Sequence, residues 1–222
     1  MELREGLRTT GAVRRFTSEP VDEATLYGIL DDARFAPSGG NRQPWRVAIV
    51  TDGMMRRELA TLMQPVWNEY VAIGATGVTP YNVVEAVPAG VVPATPPHVD
   101  HELLEHIERV PLVLAVAVDL SLVALMDSGL HRPPVTAGAS IYPFCWNLLL
   151  AARVRGLGGV ITTFASRAEQ VTGPLLGLPP DHALAATVFL GYPQHQPTVL
   201  SRHPVSAFAT RNRFDGEPFD EP

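Results

Sequence analysis

Residues 36–45, with the sequence APSGGNRQPW, are the most informative stretch for the fold of this chain. Their significance comes from two further segments, one before them and one after them in the sequence. The stretch joins turn-forming residues to two side-chain amides, and its small residues leave backbone N–H groups free. Residues 14–21 (RRFTSEPV) precede it and residues 156–164 (GLGGVITTF) follow it. Such a turn, with arginines upstream, predicts a surface that hydrogen-bonds a flat, polar, phosphorylated ligand.

Composition predicts one globular domain over residues 1–222. The chain is 46% hydrophobic, which is enough to bury a large core. Its net charge of −6 argues against a nucleic-acid partner, because such partners require a basic surface. All 17 of its cationic residues are arginines, whose planar guanidinium groups suit phosphate.

The cysteine content and the apolar segments predict a cytoplasmic protein without a membrane span. Cys145 is the single cysteine, so no internal disulfide can form. Residues 1–10 have no apolar core of the kind found in signal peptides. The longest apolar run, residues 110–126, is interrupted by Pro111 and Asp119, and we expect a buried strand there.

Hydrophobic periodicity predicts alternating helices and strands, and hence an α+β or mixed α/β sandwich. Asp22 is placed to cap the first predicted helix. The longest helix carries a wide apolar face, which predicts a position in the core or at a dimer interface. The predicted helices are residues 22–35, 54–68, 100–109, 137–155 and 166–176, and the predicted strands are 46–51, 112–118 and 183–191.

Two segments show no periodicity. Residues 74–101 are rich in Gly, Pro and Ala up to position 97, and we expect a long loop or a lid. Residues 192–222 carry several arginines, and we expect this tail to wrap around a partner subunit.

The three motifs together, in this order and at this spacing, resemble the FMN-dependent nitroreductase family. The resemblance covers about residues 7–216. It implies an α+β, three-layer sandwich with a central, mainly antiparallel sheet flanked by helices, in an entwined homodimer with two FMN sites at the interface. It also implies that NAD(P)H donates hydride to FMN, which passes it to a nitroaromatic, quinone or related acceptor by a ping-pong mechanism.

The resemblance also implies which residues bind the cofactor. Residues matching Pro37, Ser38, Gly39 and Asn41 contact the ribityl-phosphate arm in that family, often from the neighbouring subunit. Backbone N–H groups of residues 159–163 approach flavin N5 and O4, Arg14 is the candidate for the positive group near N1–C2=O, and no catalytic side chain is needed. The implied set is Arg14, Arg15, Pro37, Ser38, Gly39, Asn41, Gln43, Ser140, Gly158, Gly159, Val160, Ile161, Thr162, Arg211 and Arg213.

One position departs from the family pattern. Gly11 and Ala12 stand where the family usually has an Arg-Ser pair, so one phosphate donor is missing. Arg15, Arg211 or a backbone N–H group is the expected substitute.

The residues also allow other interpretations. The turn by itself is typical of an ordinary helix-to-strand loop, and terminal arginines are typically solvated. Residues 98–106 contain three histidines, but their spacing matches no closed zinc pattern, so no metal is predicted. On the same fold, the alternatives are a flavin-dependent oxidase, dehydrogenase or dehalogenase of one metabolite, or a non-catalytic flavin-binding protein.

Overall fold

A computed structural model describes residues 1–221, and a four-stranded antiparallel sheet lies at its centre. The strand order is β1-β2-β4-β3, so that β1 and β3 form the two edges. The inner strands are buried on both faces, as their continuous apolar sequences predict. The strands are β1 (Trp45–Ile49), β2 (Leu112–Asp119), β3 (Gly158–Thr162) and β4 (His182–Gly191).

The helices cover both faces of this sheet. Even-numbered residues of β2 pack with α2 and α5, and odd-numbered residues pack with α3 and the short helices after β3. This arrangement confirms the predicted α+β, three-layer sandwich. The helices are α1 (Leu3–Thr9), α2 (Glu23–Ala33), α3 (Gly53–Gly74), α4 (Glu102–Glu105), α5 (Tyr142–Val154), α6 (Phe164–Arg167) and α7 (Glu169–Leu176).

Helix α5 lies in the core layer, as its apolar face predicts. Phe144 and Leu148 are at most 2% exposed, and the Phe144 ring stacks on Trp45 at 4.9 Å. Cys145 lies on the same buried face, and burial raises the pKa of its thiol to about 12. The thiol is therefore protonated at neutral pH and is unreactive in the folded protein.

Several helix boundaries differ from the prediction. The predicted helix 137–155 begins at Tyr142, because a separate 3₁₀ turn (Thr136–Ser140) and a non-helical Ile141 precede it. Helix α3 continues beyond residue 68 to Gly74, and α1 was not predicted. The predicted helices 100–109 and 166–176 each divide into two short helical pieces.

Arg56, on α3, is a buried cation that holds this helix against the sheet. Its side chain is 8% exposed and donates hydrogen bonds to the carbonyl oxygens of Val50, Val110 and Pro111, at 2.7, 2.7 and 3.4 Å. Burial lowers the pKa of its guanidinium group. These bonds satisfy carbonyls at the end of β1 and just before β2.

Replacing Arg56 by methionine is expected to lower the free energy of unfolding by about 2–4 kcal/mol, because it leaves buried carbonyls without donors. Urea denaturation measures the change. Arg57→Met is the matched control, since Arg57 is exposed, and it should lie within about 0.5 kcal/mol of the wild type. Equal stability of the two variants would contradict this role for Arg56.

Among residues 1–221, none of the helices combines the length and the apolar character that crossing a bilayer requires.

Candidate functional site

The outer edge of β3 is covered at its start by residues 12–13 and is open further along. The Val13 N–H donates to the Gly159 carbonyl at 2.9 Å, and Ala12 forms a parallel bridge with Gly159. Backbone groups alternate in direction along a strand. Ile161, two residues beyond Gly159, therefore directs its N–H and C=O groups toward this same edge.

A cavity of about 470 Å³ adjoins this edge. Its sheet side is formed by Arg14 and residues 161–163, and its helical side by an aromatic cluster and the start of α4. The structure therefore brings together three of the residues that the resemblance implies, namely Arg14, Ile161 and Thr162. The helical side consists of Trp67, Tyr70, Asp100, His101, Glu102 and Phe164.

His101 is a buried polar group in the wall of this cavity. It is 8% exposed, and its ring packs edge-on against Trp67 at 4.6 Å and Phe164 at 5.5 Å. Its Nδ1 atom is buried and has no hydrogen-bond partner among residues 1–221. Burial, and then the positive charge of Arg14, lower the pKa of His101, so the imidazole is neutral at neutral pH.

Sequence reasoning missed the aromatic part of this wall. Trp67 and Tyr70 lie three residues apart on α3, which places them on one helix face, and their rings stack at 5.7 Å. The three-residue spacing of Trp67 and Tyr70 is the sequence signal that could have indicated a shared aromatic face, although the predicted helix ended before Tyr70.

His98 and His101 lie in different surroundings. His98 lies 3.4 Å from Asp100 and 3.9 Å from Glu105 on the exposed surface. The ring of His101 instead packs in the aromatic cluster.

The turn at residues 37–43 is held by two serine hydroxyls. Ser38 Oγ accepts a hydrogen bond from the Gln43 N–H at 3.0 Å, and Ser140 Oγ accepts one from the Gly39 N–H at 3.1 Å. Asn41 and Gln43 have φ angles of 53° and 52°, in the left-handed region that side-chain-bearing residues rarely adopt. Such conformations concentrate at functional sites. Pro37, Asn41 and Gln43 of this turn are all exposed to solvent.

Within one chain, the turn at residues 37–43 and the open edge of β3 lie at opposite edges of the sheet. The turn leads into β1, whereas β3 is the other edge, with β2 and β4 between them. Three interstrand spacings separate the two edges by about 14 Å. The open edge also faces away from β1, so a ligand bound along it cannot readily reach the turn of its own chain.

The glycines of the third motif have a packing role. A Cβ atom on Gly158 would lie 2.6 Å from Val13 Cγ2, and one on Gly159 would lie 2.5 Å from the Phe189 carbonyl oxygen. Val160 is buried in the core against α3. A similar constraint accounts for Gly11, where a Cβ atom would lie 2.9 Å from Pro197 and Leu200 side-chain atoms at the start of the tail.

Of the remaining predicted arginines, Arg15 lies near the cavity, whereas the two tail arginines do not line it in one chain. Arg15 pairs with Glu102 at 3.2 Å, at the margin of the cavity. Arg213 donates to Asp215 at 2.8 and 3.0 Å, and the Arg211 guanidinium lies 4.8 Å from the centre of the Phe219 ring. Neither tail arginine is among the residues that line the cavity.

Comparisons with known proteins agree with this architecture. A family model described as "Nitroreductase family" matches residues 7–192. The 5,6-dimethylbenzimidazole synthase of Rhodobacter capsulatus is 31% identical over 193 residues, which cover 86% of this chain and 84% of that protein.

Two solved structures share the fold. NADPH:FMN oxidoreductase from Vibrio harveyi, complexed with NAD⁺, superimposes with a TM-score of 0.68 at 21% identity, covering 96% of this chain and 77% of that one. Oxidised iodotyrosine deiodinase bound to FMN and 3-iodo-L-tyrosine gives 0.66 at 22% identity, covering 96% and 100%. The family match over most of the chain, together with the 31% identical relative, shows that this chain belongs to the nitroreductase family of oxidoreductase enzymes.

Proposed function

We propose that this protein is an FMN-dependent oxidoreductase that takes hydride from NAD(P)H and passes it to nitroaromatic, quinone or related acceptors by a ping-pong mechanism. The observation that carries the proposal is the cavity in which Arg14 stands beside the open edge of β3. When bound, FMN supplies the two-electron chemistry, which is consistent with the lack of an acid–base pair in the motifs.

The residues at this edge fit a flavin ring. Ile161 offers a backbone donor and acceptor side by side, which complements the alternating carbonyl and nitrogen atoms of a flat heterocycle. Arg14 is exposed, and it makes no ion pair with any residue in the described part of the chain. Its charge would favour electron acceptance by a ring bound beside it.

We propose that a second copy of the chain completes each site. The turn at residues 37–43 adjoins β1, at the edge of the sheet opposite the cavity of its own chain, and would instead contact the cofactor of a partner. Ser38, Gly39 and Asn41 would then contact its phosphate arm, with Arg211 and Arg213 as the charged donors.

Exposed apolar side chains support a homodimer. Leu3 and Phe35 are each 72% exposed at the surface of the α1, α2 and α5 layer. In the tail, Phe208 is 73% exposed and Phe214 is fully exposed. Contiguous exposed apolar patches mark protein–protein interfaces, and these side chains would belong to such a patch in the homodimer.

The names of the structural relatives support FMN as the cofactor. The Vibrio harveyi enzyme is an NADPH:FMN oxidoreductase, and the deiodinase structure contains FMN. The phosphate-binding groups proposed here serve one phosphate, which favours FMN over FAD.

A second candidate is a flavin enzyme dedicated to one metabolite. The attachment of residues 74–101 to α3 favours it: Tyr81 Oη donates to Glu69 at 2.8 Å, and the Val99 N–H donates to Asn68 at 3.0 Å. These bonds hold the segment against α3, whose Trp67 and Tyr70 line the cavity, and the segment would act as a substrate-specific lid. The 31% identical relative, a synthase, is also named for one specific product.

Anaerobic spectroscopy of the purified protein tests the proposal. We expect a yellow homodimer that releases FMN on heating, is bleached by NADH or NADPH, and is reoxidised by several unrelated quinones and nitroarenes. Mass analysis showing FAD or no flavin, or a fully flavin-loaded monomer in light scattering, would contradict it. Bleaching by neither nicotinamide, or reoxidation by one compound only, would favour the dedicated or non-catalytic alternatives.

A further inference from the structure

We infer that His101 selects the electron acceptor by donating a hydrogen bond to a carbonyl or nitro oxygen of a neutral, planar aromatic compound bound in the aromatic cavity. This inference rests on the proposed function, because it places the acceptor beside the flavin ring that we propose to bind along the open edge of β3. His101 belongs to none of the three sequence motifs. Its position follows from the return of the chain to α3 after residue 99.

The imidazole is fixed in orientation by its neighbours. Trp67 and Phe164 contact its ring at interplanar angles of 76° and 90°, and a ring held from two sides has little freedom to rotate. Buried polar side chains normally have a hydrogen-bond partner. Nδ1 is buried and unpartnered, whereas Nε2, which also has no partner among residues 1–221, is not fully buried and is the ring nitrogen that a ligand in the cavity would contact.

The shape of the cavity indicates a flat apolar ligand. Trp67, Tyr70 and Phe164 provide aromatic surface on its helical side, and the flavin ring proposed to lie along the open edge of β3 would provide the opposite side. Such a pocket binds a ring through apolar contact and fixes its orientation through a few polar groups. His101 is the buried polar side chain on the helical side.

The charges around His101 favour a neutral acceptor. Arg14 lies on the sheet side of the cavity, and Asp100 and Glu102 flank His101 in the sequence and line the same cavity. The Glu102 carboxylate is paired with Arg15, and the Asp100 carboxylate lies 3.4 Å from His98 Nε2. Both carboxylates line the cavity and disfavour an anionic ligand there. Quinones and nitroarenes are neutral and carry polarised oxygens, so they meet these conditions.

A pair of non-reducible ligands isolates the hydrogen bond. Acetophenone and α-methylstyrene have nearly the same shape, but only acetophenone has an oxygen that accepts a hydrogen bond. Each is titrated into the oxidised, flavin-loaded protein without an electron donor, and binding is followed by the change in flavin absorbance. The affinity ratio of the two ligands reports the hydrogen bond without any turnover.

The variants compared are His101→Phe and His101→Leu, which lack a donor, His101→Gln, which retains one, and His98→Phe as a control outside the cavity. We expect the affinity ratio, acetophenone over α-methylstyrene, to fall about 10-fold in both non-donor variants. It should change less in His101→Gln and not at all in His98→Phe. Using two non-donor variants keeps the test decisive if one of them fails to fold.

An unchanged ratio in a folded, flavin-loaded variant without a donor would overturn the inference. That result is separable from failure of the proposed function, which would appear as absence of flavin from the wild type. Flavin content, and the rate of reduction by NAD(P)H in each variant, show whether a loss of binding reflects a damaged cofactor site instead.

Discussion

Replacing Arg213 by alanine is expected to weaken FMN binding about 10- to 150-fold, the equivalent of one charged hydrogen bond. In the isolated chain Arg213 is exposed and pairs with Asp215 two residues away. An exposed pair of this kind contributes little to stability and is readily exchanged for a phosphate contact. Electron transfer in the fully loaded variant should be nearly unchanged, because the phosphate lies far from the ring. Titration of the apoprotein with FMN measures the affinity.

Two other arginines provide controls for that experiment. Arg202 also lies in the tail, where it donates to its neighbour's carbonyl oxygen at 2.7 Å, and Arg202→Ala should bind FMN as the wild type does. Arg14→Ala should instead lower the flavin reduction potential and slow reduction at saturating FMN. If Arg14→Ala changes only affinity, Arg14 is a phosphate ligand and its proposed position beside the ring is wrong.

Gly159→Ala is expected to lower the free energy of unfolding by about 3 kcal/mol. The added Cβ atom would lie 2.4 Å from Leu190 Cδ2 and 2.5 Å from the Phe189 carbonyl oxygen, which belongs to the backbone of β4. A side chain can turn aside, but the paired backbone cannot move without separating β3 from β4. Because the open edge of β3 forms one side of the cavity, the flavin content should fall as well.

Gly173→Ala is the matched control for this substitution. Gly173 is also buried, but its Cβ atom would lie no closer than 3.4 Å to a neighbouring atom, Leu178 Cδ2. Its place in helix α7 makes alanine neutral or slightly favourable. Thermal unfolding of both variants gives the comparison, and similar melting temperatures would show that β3 tolerates a side chain at position 159.

The predictable parts of the fold were those with strong local signals. Strand β2 is a continuous apolar run, and α5 has a wide apolar face, so the amino-acid sequence alone indicates their type and burial. Helix α1 is short and contains Gly6, which weakens its local helical signal. The start of α5 was placed too early because the 3₁₀ turn ending at Ser140 also carries helix-compatible residues.

The candidate site was only partly predictable for a related reason. Motif order pointed to Arg14 and to residues 161–162, which do lie in one cavity. Local sequence patterns could not place Trp67, Tyr70 and His101 in this cavity. Their proximity depends on the path by which residues 74–101 bring His101 back against α3. The separation of the turn at residues 37–43 from that cavity follows only from the strand order.

Subunit complementation tests the central claim, that each site is shared between two copies of the chain. Arg14→Glu would disable the β3 side of a site and Gly39→Glu the turn side; both positions lie outside the buried core, so the fold should persist. Each variant alone should bind little FMN. After mixed refolding, random pairing gives heterodimers in which one of the two sites is intact, and about a quarter of the wild-type flavin content should return. No recovery in a mixture shown to contain heterodimers would contradict the shared site.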